Sequence, residues 1–295
     1  MTDKQHNPPY GQVEWLSPLV RRVLARNPSP FTSSGTGSYI VGRGTVAIID
    51  PGPDDAEHLQ AVERAVAGER VSHLLVTHTH IDHSPGAAPL KARLGGVIAG
   101  CAPLSLVDDG PRADAGFDSS YAPDLVLADG EAVSGPGWTL GAVHTPGHTS
   151  NHLCFSFPEE ETLFSGDHVM GWSTTVVAPP DGDMAAYLRS LERLLPRSDR
   201  RYLPTHGPAV AEPQRLVRGL IAHRRQREAQ ILQLLAANGA TIDDMVRQMY
   251  ALVNRALWPA AGKSVLAHLL DLERRGQARR DGERWRTTLR TPSSV

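Results

Sequence analysis

The chain predicts an α/β fold in which sheets are covered by helices, followed by a smaller helical unit. Three observations carry this expectation. Short apolar runs alternate with amphipathic stretches through the first 208 residues. Many of those runs end in polar, His-containing loops, as strands do when a site lies at their ends. After Pro208 the texture turns helical and the charge balance turns with it. Residues 209–295 hold 15 of the 30 Lys and Arg but 8 of the 32 Asp and Glu, a net +7 against −9 for the rest. Two units are therefore expected, 1–208 and 209–295.

In the first unit Gly37–Gly42 and Val46–Asp50 read as two strands joined by a Gly-containing turn. Asp54–Ala67 carries Leu59, Val62 and Val66 at the spacing of a helix face. Val71–Thr77 is a mostly apolar strand, and Leu125–Ala128, Leu140–His144, Leu153–Phe157 and Thr162–Ser165 are further strand candidates. Thr174 and Thr175 also read as strand residues, from their β-branched preference. Asp183–Leu195 places Ala186, Leu188, Leu191 and Leu195 on one helical side, and Arg201–Pro204 is a short strand entering Thr205-His206-Gly207.

The second unit opens with one long helical pattern over Pro213–Ala237, closed by Asn238-Gly239 as a C-cap. Thr241 and Asp244 stand at capping-box spacing at the head of a second helix. Lys263–Gly276 is a third, and Ala278–Arg280 and Trp285–Thr288 flank Asp281-Gly282 as a hairpin. Helix, helix, helix, hairpin is the order of a winged-helix module. His223 is expected at the surface, Trp258 and Trp285 in a core, and Cys101 and Cys154 as small buried residues.

Composition removes several classes. With 40% hydrophobic, 21% charged and two cysteines among 295 residues, the chain is neither disordered, collagenous nor a disulfide scaffold. No apolar run reaches the ~20 residues that span a bilayer. Proline and charge interrupt Met1–Pro30, which has no signal-peptide apolar core, so a cytoplasmic protein with no membrane partner is expected.

The feature with the most chemistry is His78-Thr79-His80-Ile81-Asp82-His83, directly after the Val71–Thr77 strand. Residues two apart in an extended segment point the same way, so His78 and His80 can grip one ion. A turn after Ile81 can swing Asp82 and His83 toward a second. His148 in Thr-Pro-Gly-His-Thr, Asp167 in Ser-Gly-Asp and His206 in Thr-His-Gly each fall just past a strand. Imidazole and carboxylate suit zinc, and the adjacent glycines let backbone crowd close to a site.

In order and spacing these motifs resemble the metallo-β-lactamase superfamily, over most of residues 20–208. The resemblance implies an αββα sandwich with a two-metal site at one edge. It implies that His78, His80 and His148 hold the first metal, that Asp82, His83 and His206 hold the second, and that Asp167 bridges them. Two Zn²⁺ per chain are expected, with Mn²⁺ or Fe²⁺ also suited to a thiolate-free donor set. Such a pair favours a bridging hydroxide as nucleophile. Asp82 is expected to have a second, catalytic role in proton transfer. One departure is Thr205, where the family often has Gly. It is expected to change loop flexibility more than ligation. True β-lactamases of the best-known type have Cys where Asp167 stands, so antibiotic hydrolysis is not expected.

The basic helix around His223–Leu232 and the winged-helix pattern resemble the β-lactamase-like protein 2 group, which joins a metallo domain to a C-terminal winged helix. That resemblance implies an endoribonuclease acting on single-stranded RNA. Arg274, Arg275, Arg279, Arg280, Arg284 and Arg286 could track a phosphate backbone, or form a solvated face paired to Glu273, Asp281 and Glu283. A thioesterase or lactonase on a small acyl substrate is the alternative enzyme. A nucleic-acid-binding regulator acting through the winged helix is the alternative outside enzymology.

Overall fold

The computed structural model describes residues 9–104 and 116–288, so residues 1–8, 105–115 and 289–295 of the two expected units lie outside the described residues. The first sheet has seven strands in chain order: β1 (Val13–Trp15), β2 (Val20–Leu24), β3 (Gly37–Arg43), β4 (Thr45–Ile49), β5 (Arg70–Val76), β6 (Val97–Gly100) and β7 (Leu125–Val126). Strands β1 to β4 pair antiparallel and β4 to β7 parallel. The parallel crossovers carry α1 (Ala56–Ala65) and α2 (Ala87–Leu94). Asp55 caps α1 by accepting from the His58 N–H.

The second sheet contains β8 (Ala132–Gly135), β9 (Trp138–His144), β10 (Leu153–Phe157), β11 (Thr162–Gly166) and β12 (Arg201–Pro204), in the order β12-β11-β10-β9-β8. Its β11–β12 crossover carries α3 (Met184–Leu194), capped by Asp183. The two sheets face each other. Tyr39 of β3 and Phe164 of β11 lie with ring centroids 5.2 Å apart, and the Tyr39 hydroxyl donates to the Pro204 carbonyl at the end of β12. Trp138 Nε1 donates to the Thr45 carbonyl from the opposite sheet. Because helices cover the outer faces, β3 and β4 are buried on both sides along most of their length. The result is the four-layer αββα sandwich that the resemblance implied.

Helix α4 (Pro213–Asn238) serves two cores. Val217, Leu220 and Ile221 in its first half join Tyr187 and Leu191 of α3 and Tyr202 of β12. Ile231 and Leu235 in its second half belong to a third core with α5 (Ile242–Met249), α6 (Trp258–Arg274) and the hairpin β13 (Ala278–Asp281) and β14 (Arg284–Thr287). Thr241 and Asp244 form a full capping box at α5, and Trp285 exchanges backbone hydrogen bonds with Ala240. This unit is a winged helix. Among the described residues no helix is long and apolar enough to cross a membrane.

Several expectations need correction. Helix α6 begins at Trp258, five residues before the expected start, because Pro259 sits in its first turn, where a missing N–H costs nothing. The segment Ser173–Val177 forms no strand: it is an irregular connection, with Thr175 buried and its hydroxyl donating to the Asp167 carbonyl at 2.6 Å. His223 is half-buried rather than at the surface, and Trp258 only borders its core. Most of the tail arginines are tied down within the protein. Arg274 pairs with Asp183 and Asp271, Arg275 with Glu228 and Asp271, and Arg286 with Asp281, while Arg284 donates to the Gly239 carbonyl.

Candidate metal centre

Four strands deliver the site to one edge of the sandwich. Thr77 to Ser84 follow β5 of the first sheet, and His148, Asp167 and His206 follow β9, β11 and β12 of the second. The chain turns sharply after His80, whose carbonyl accepts from the His83 and Ser84 amides. That turn brings Asp82 and His83 back toward the strand end. Two glycines are structurally forced beside the predicted ligands. Gly147 has φ +141° and a Cβ there would stand 2.3 Å from the Tyr187 Cα. Gly166 has φ +51° and its Cβ would meet the His152 ring at 2.6 Å.

The structure brings all seven sequence-predicted residues together. His80 Nδ1 lies 2.9 Å from His78 Nε2 and 3.2 Å from His148 Nε2. Asp82 Oδ2 lies 3.2 Å from His206 Nε2 and 3.7 Å from His83 Nε2. Asp167 Oδ2 stands between the groups, 3.8 Å from His148 Nε2, 3.6 Å from His83 Nε2 and 3.5 Å from His206 Nε2. The ligand atoms of His78, His80 and His148 fall within 4.8 Å of one another, as do those of Asp82, His83 and His206, and those of His78, His83 and Asp167.

These residues fit a cation. Three buried imidazole nitrogens aimed at one point cannot all be satisfied by shared protons. His83 Nε2, Asp82 Oδ1 and Asp167 Oδ1 are buried without a hydrogen-bond partner among the described residues. Metal–nitrogen bonds of about 2.0–2.1 Å at tetrahedral angles put ligand atoms about 3.3 Å apart, close to the spacings seen. Burial, reinforced by neighbouring imidazoles, holds His78 and His80 well below the usual histidine range, in the neutral form that ligates. Burial alone would raise the Asp82 and Asp167 carboxyls, but His83 and His206 outweigh it and hold both below the usual carboxylate range. Burial likewise opposes a proton on His83 and His206. The Asp82 and Asp167 charges outweigh it and raise both imidazoles. A cation and these protons compete for the same lone pairs.

The second nitrogen of each imidazole decides which way the first one points. His148 Nδ1 donates to the Val176 carbonyl at 2.7 Å and His206 Nδ1 to the Gly35 carbonyl at 3.2 Å. His78 Nδ1 meets Thr77 Oγ1 at 3.0 Å. His83 Nδ1 meets Asp50 Oδ2 at 2.9 Å. Asp50, fully buried at the end of β4, is one of two residues that the sequence does not single out. Its carboxylate also accepts from the Thr77 amide and hydroxyl, at 2.9 Å each, and from the Thr205 hydroxyl at 2.7 Å. Thr205 thus does more than alter loop flexibility: it links the loop carrying His206 to the group that orients His83. The signal for Asp50 was an acid closing an apolar strand before Pro51-Gly52, at the same end as the histidine motif. His152 was also missed. It accepts from the Asp167 amide at 3.1 Å and is braced by Thr145 Oγ1 at 2.9 Å.

Above the cluster lies a cleft of about 450 Å³, counting space open to solvent. His80, Asp82, His148, Asp167 and His206 form its polar floor, and Phe31, Met170 and Trp172 its apolar walls.

A family model described as the metallo-β-lactamase superfamily matches residues 33–206, and one described as a β-lactamase-associated winged helix domain matches residues 241–285. A β-lactamase-like protein 2 homolog of Drosophila melanogaster is 34% identical over 285 residues, covering 90% of this chain and 92% of that protein. A Cryptosporiopsis protein named as an atrochrysone carboxyl ACP thioesterase is 33% identical over 235 residues, 77% of this chain; the match spans 66% of that relative's length. The crystal structure of a β-lactamase domain protein from Burkholderia ambifaria shares the fold, with TM-score 0.78 at 21% identity over 95% of both chains. With the seven-residue cluster at the expected sheet edge and a winged helix behind it, the chain belongs to the metallo-β-lactamase superfamily of hydrolases, in the group typified by β-lactamase-like protein 2.

Proposed function

We propose that the protein is a two-metal hydrolase of acyl thioesters and related esters. The observation that carries this is the cation-fitting cluster at the floor of a narrow cleft walled by Phe31, Met170 and Trp172. Those walls suit an acyl chain. Three of the six arginines that suggested an RNA track, Arg274, Arg275 and Arg286, are engaged in internal ion pairs. The similarity to a fungal protein named as an ACP thioesterase supports the same reading.

In this reading His78, His80 and His148 would hold one Zn²⁺ and Asp82, His83 and His206 the other, with Asp167 available as a further ligand. Bound there, the cations supply Lewis acidity, which brings the pKa of water near neutrality and polarises a carbonyl. The protein's own residues do the rest. The apolar walls orient the acyl chain and exclude bulk water. Asp82 turns Oδ2 toward His206, while its buried Oδ1 has no partner among the described residues and can hold a proton released by the attacking water. The water oxygen bonds to the acyl carbon, the C–S bond breaks, and that proton passes to the departing thiolate.

The test is one panel of acyl thioesters, lactones and single-stranded RNA, assayed with His78→Ala as the blank. Thioester hydrolysis that vanishes in the variant supports the proposal. RNA cleavage without acyl hydrolysis contradicts it and returns the reaction to the phosphodiester class.

A further inference from the structure

A compartment of about 790 Å³, counting space open to solvent, adjoins the metal cleft. The two share Pro30, Phe31, Ser173, Thr174 and Val176 in their linings. The far wall of the compartment belongs to the winged-helix unit. Arg224 and Arg227 reach it from α4, and Tyr250, Val253 and Leu257 line it beyond α5.

The two arginines are less exposed than most others on the unit: Arg224 is buried and Arg227 half-buried. Arg224 is only 2% exposed. Its Nη2 donates to the Thr175 carbonyl, its guanidinium lies 5.3 Å from the centroid of the Tyr187 ring, and its buried Nε has no partner among the described residues. Arg227 donates to His223 Nε2 at 3.3 Å, to Gln230 Oε1 at 2.9 Å and to the Met249 carbonyl at 3.0 Å, and lies 4.7 Å from the Tyr250 ring centroid. Among the described residues neither guanidinium is paired with an Asp or Glu carboxylate. Neighbouring Arg225, on the exposed face, is paired with Glu192. A buried guanidinium without a counter-charge is costly, and an incoming anion removes that cost. The local field agrees: burial first, then the Arg224 and Arg227 charges, push the His223 imidazole down to about 4.

We propose that this compartment binds an anionic group of the substrate, a carboxylate or phosphate set apart from the acyl carbon, through Arg224 and Arg227. Phe31, Tyr250, Val253 and Leu257 contact the chain between the anion and the reacting bond. The substrate class is then an anionic acyl thioester. This assignment rests on acyl hydrolysis at the metal centre. The winged helix here completes a small-molecule site.

Three thioesters test it: hexanoyl-N-acetylcysteamine with no anion, adipoyl-N-acetylcysteamine with a carboxylate on the acyl side, and hexanoyl-phosphopantetheine with a phosphate on the thiol side. The expected result is that one anionic thioester exceeds the neutral one in kcat/KM by roughly thirtyfold, as charge-assisted hydrogen bonds in a low-dielectric site allow. Which one does so assigns the anion to its side. Arg227→Gln should collapse the ratio, and Arg227→Lys should restore part of it. Arg224→Gln should do the same if it folds. An activity-free measurement runs beside these. Adipate or inorganic phosphate should raise the Tm of the protein as purified above that in chloride at equal ionic strength, and should not do so in Arg227→Gln. Equal kcat/KM for all three thioesters overturns the proposal, as does a ratio that survives in a folded Arg227→Gln variant. If no thioester is hydrolysed, the acyl reading fails, and the Tm comparison alone decides the anion site: stabilisation that depends on Arg227 supports it, and stabilisation that does not overturns it.

Discussion

Both halves of the molecule bury histidine, and they surround it with opposite charge. At the sheet edge His83 and His206 face the carboxylates of Asp82 and Asp167, and several ring nitrogens converge on shared points. In the winged helix His268 is 1% exposed, has no partner on either ring nitrogen among the described residues, and feels Arg224 more strongly than any other charge. Imidazoles that converge with carboxylates make a place for a cation. Imidazoles buried beside guanidiniums stay neutral, the setting of the proposed anion site. The compartment beside Arg224 and Arg227 adjoins the metal cleft, sharing Pro30, Phe31, Ser173, Thr174 and Val176 with it.

The largest expected effect that sharpens this contrast comes from Asp82→Asn. It keeps the shape of the side chain but removes the proton acceptor, so turnover should fall by about 10²–10⁴-fold while the His78, His80 and His148 site keeps its metal. Wild-type turnover with both metals bound would remove Asp82 from proton transfer. Next comes Asp50→Ala, which strands the Thr77, Thr205 and His83 donors around an empty space. Loss of a buried, hydrogen-bonded carboxylate should cost about 3–5 kcal/mol in urea unfolding. Metal affinity at the Asp82, His83 and His206 site should fall by about 10–100-fold. Unchanged affinity would mean that Asp50 only supports the fold.

The smallest effect belongs to the winged helix. Burial, then the Arg224 charge, hold His268 down to about 3. The unfolded chain therefore takes up this proton first, near pH 6.5. The stability from a neutral His268 is present in full above that value and is lost as pH falls toward 3. His268→Gln should flatten this part of the pH–stability curve while leaving metal content unchanged. An unaltered curve would show that His268 titrates normally.

Much of the sandwich was legible because its central strands, such as Val46–Ile49 and Leu153–Phe157, are short apolar runs with polar ends. Strands β1 and β2 were not, since Pro18, Arg21 and Arg22 break the pattern. Arg21 is nevertheless buried, paired with Glu69 and donating to the Gly42 carbonyl. Helix α2 hid behind Gly86 and Pro89. The cluster was legible because four candidate ligands fall within six residues. Asp50 was not, because its partners Thr77, His83 and Thr205 are distant in sequence and meet it only through sheet register. Arg224 reads as one of a run of basic helix residues, and only tertiary packing against Thr175 and Tyr187 shows that it is buried.

The most direct measurement is elemental analysis of protein purified without added metal, followed by reconstitution. The account predicts two equivalents of transition metal per chain, falling in His78→Ala. Less than one equivalent of any transition metal, with no uptake on reconstitution, would contradict it.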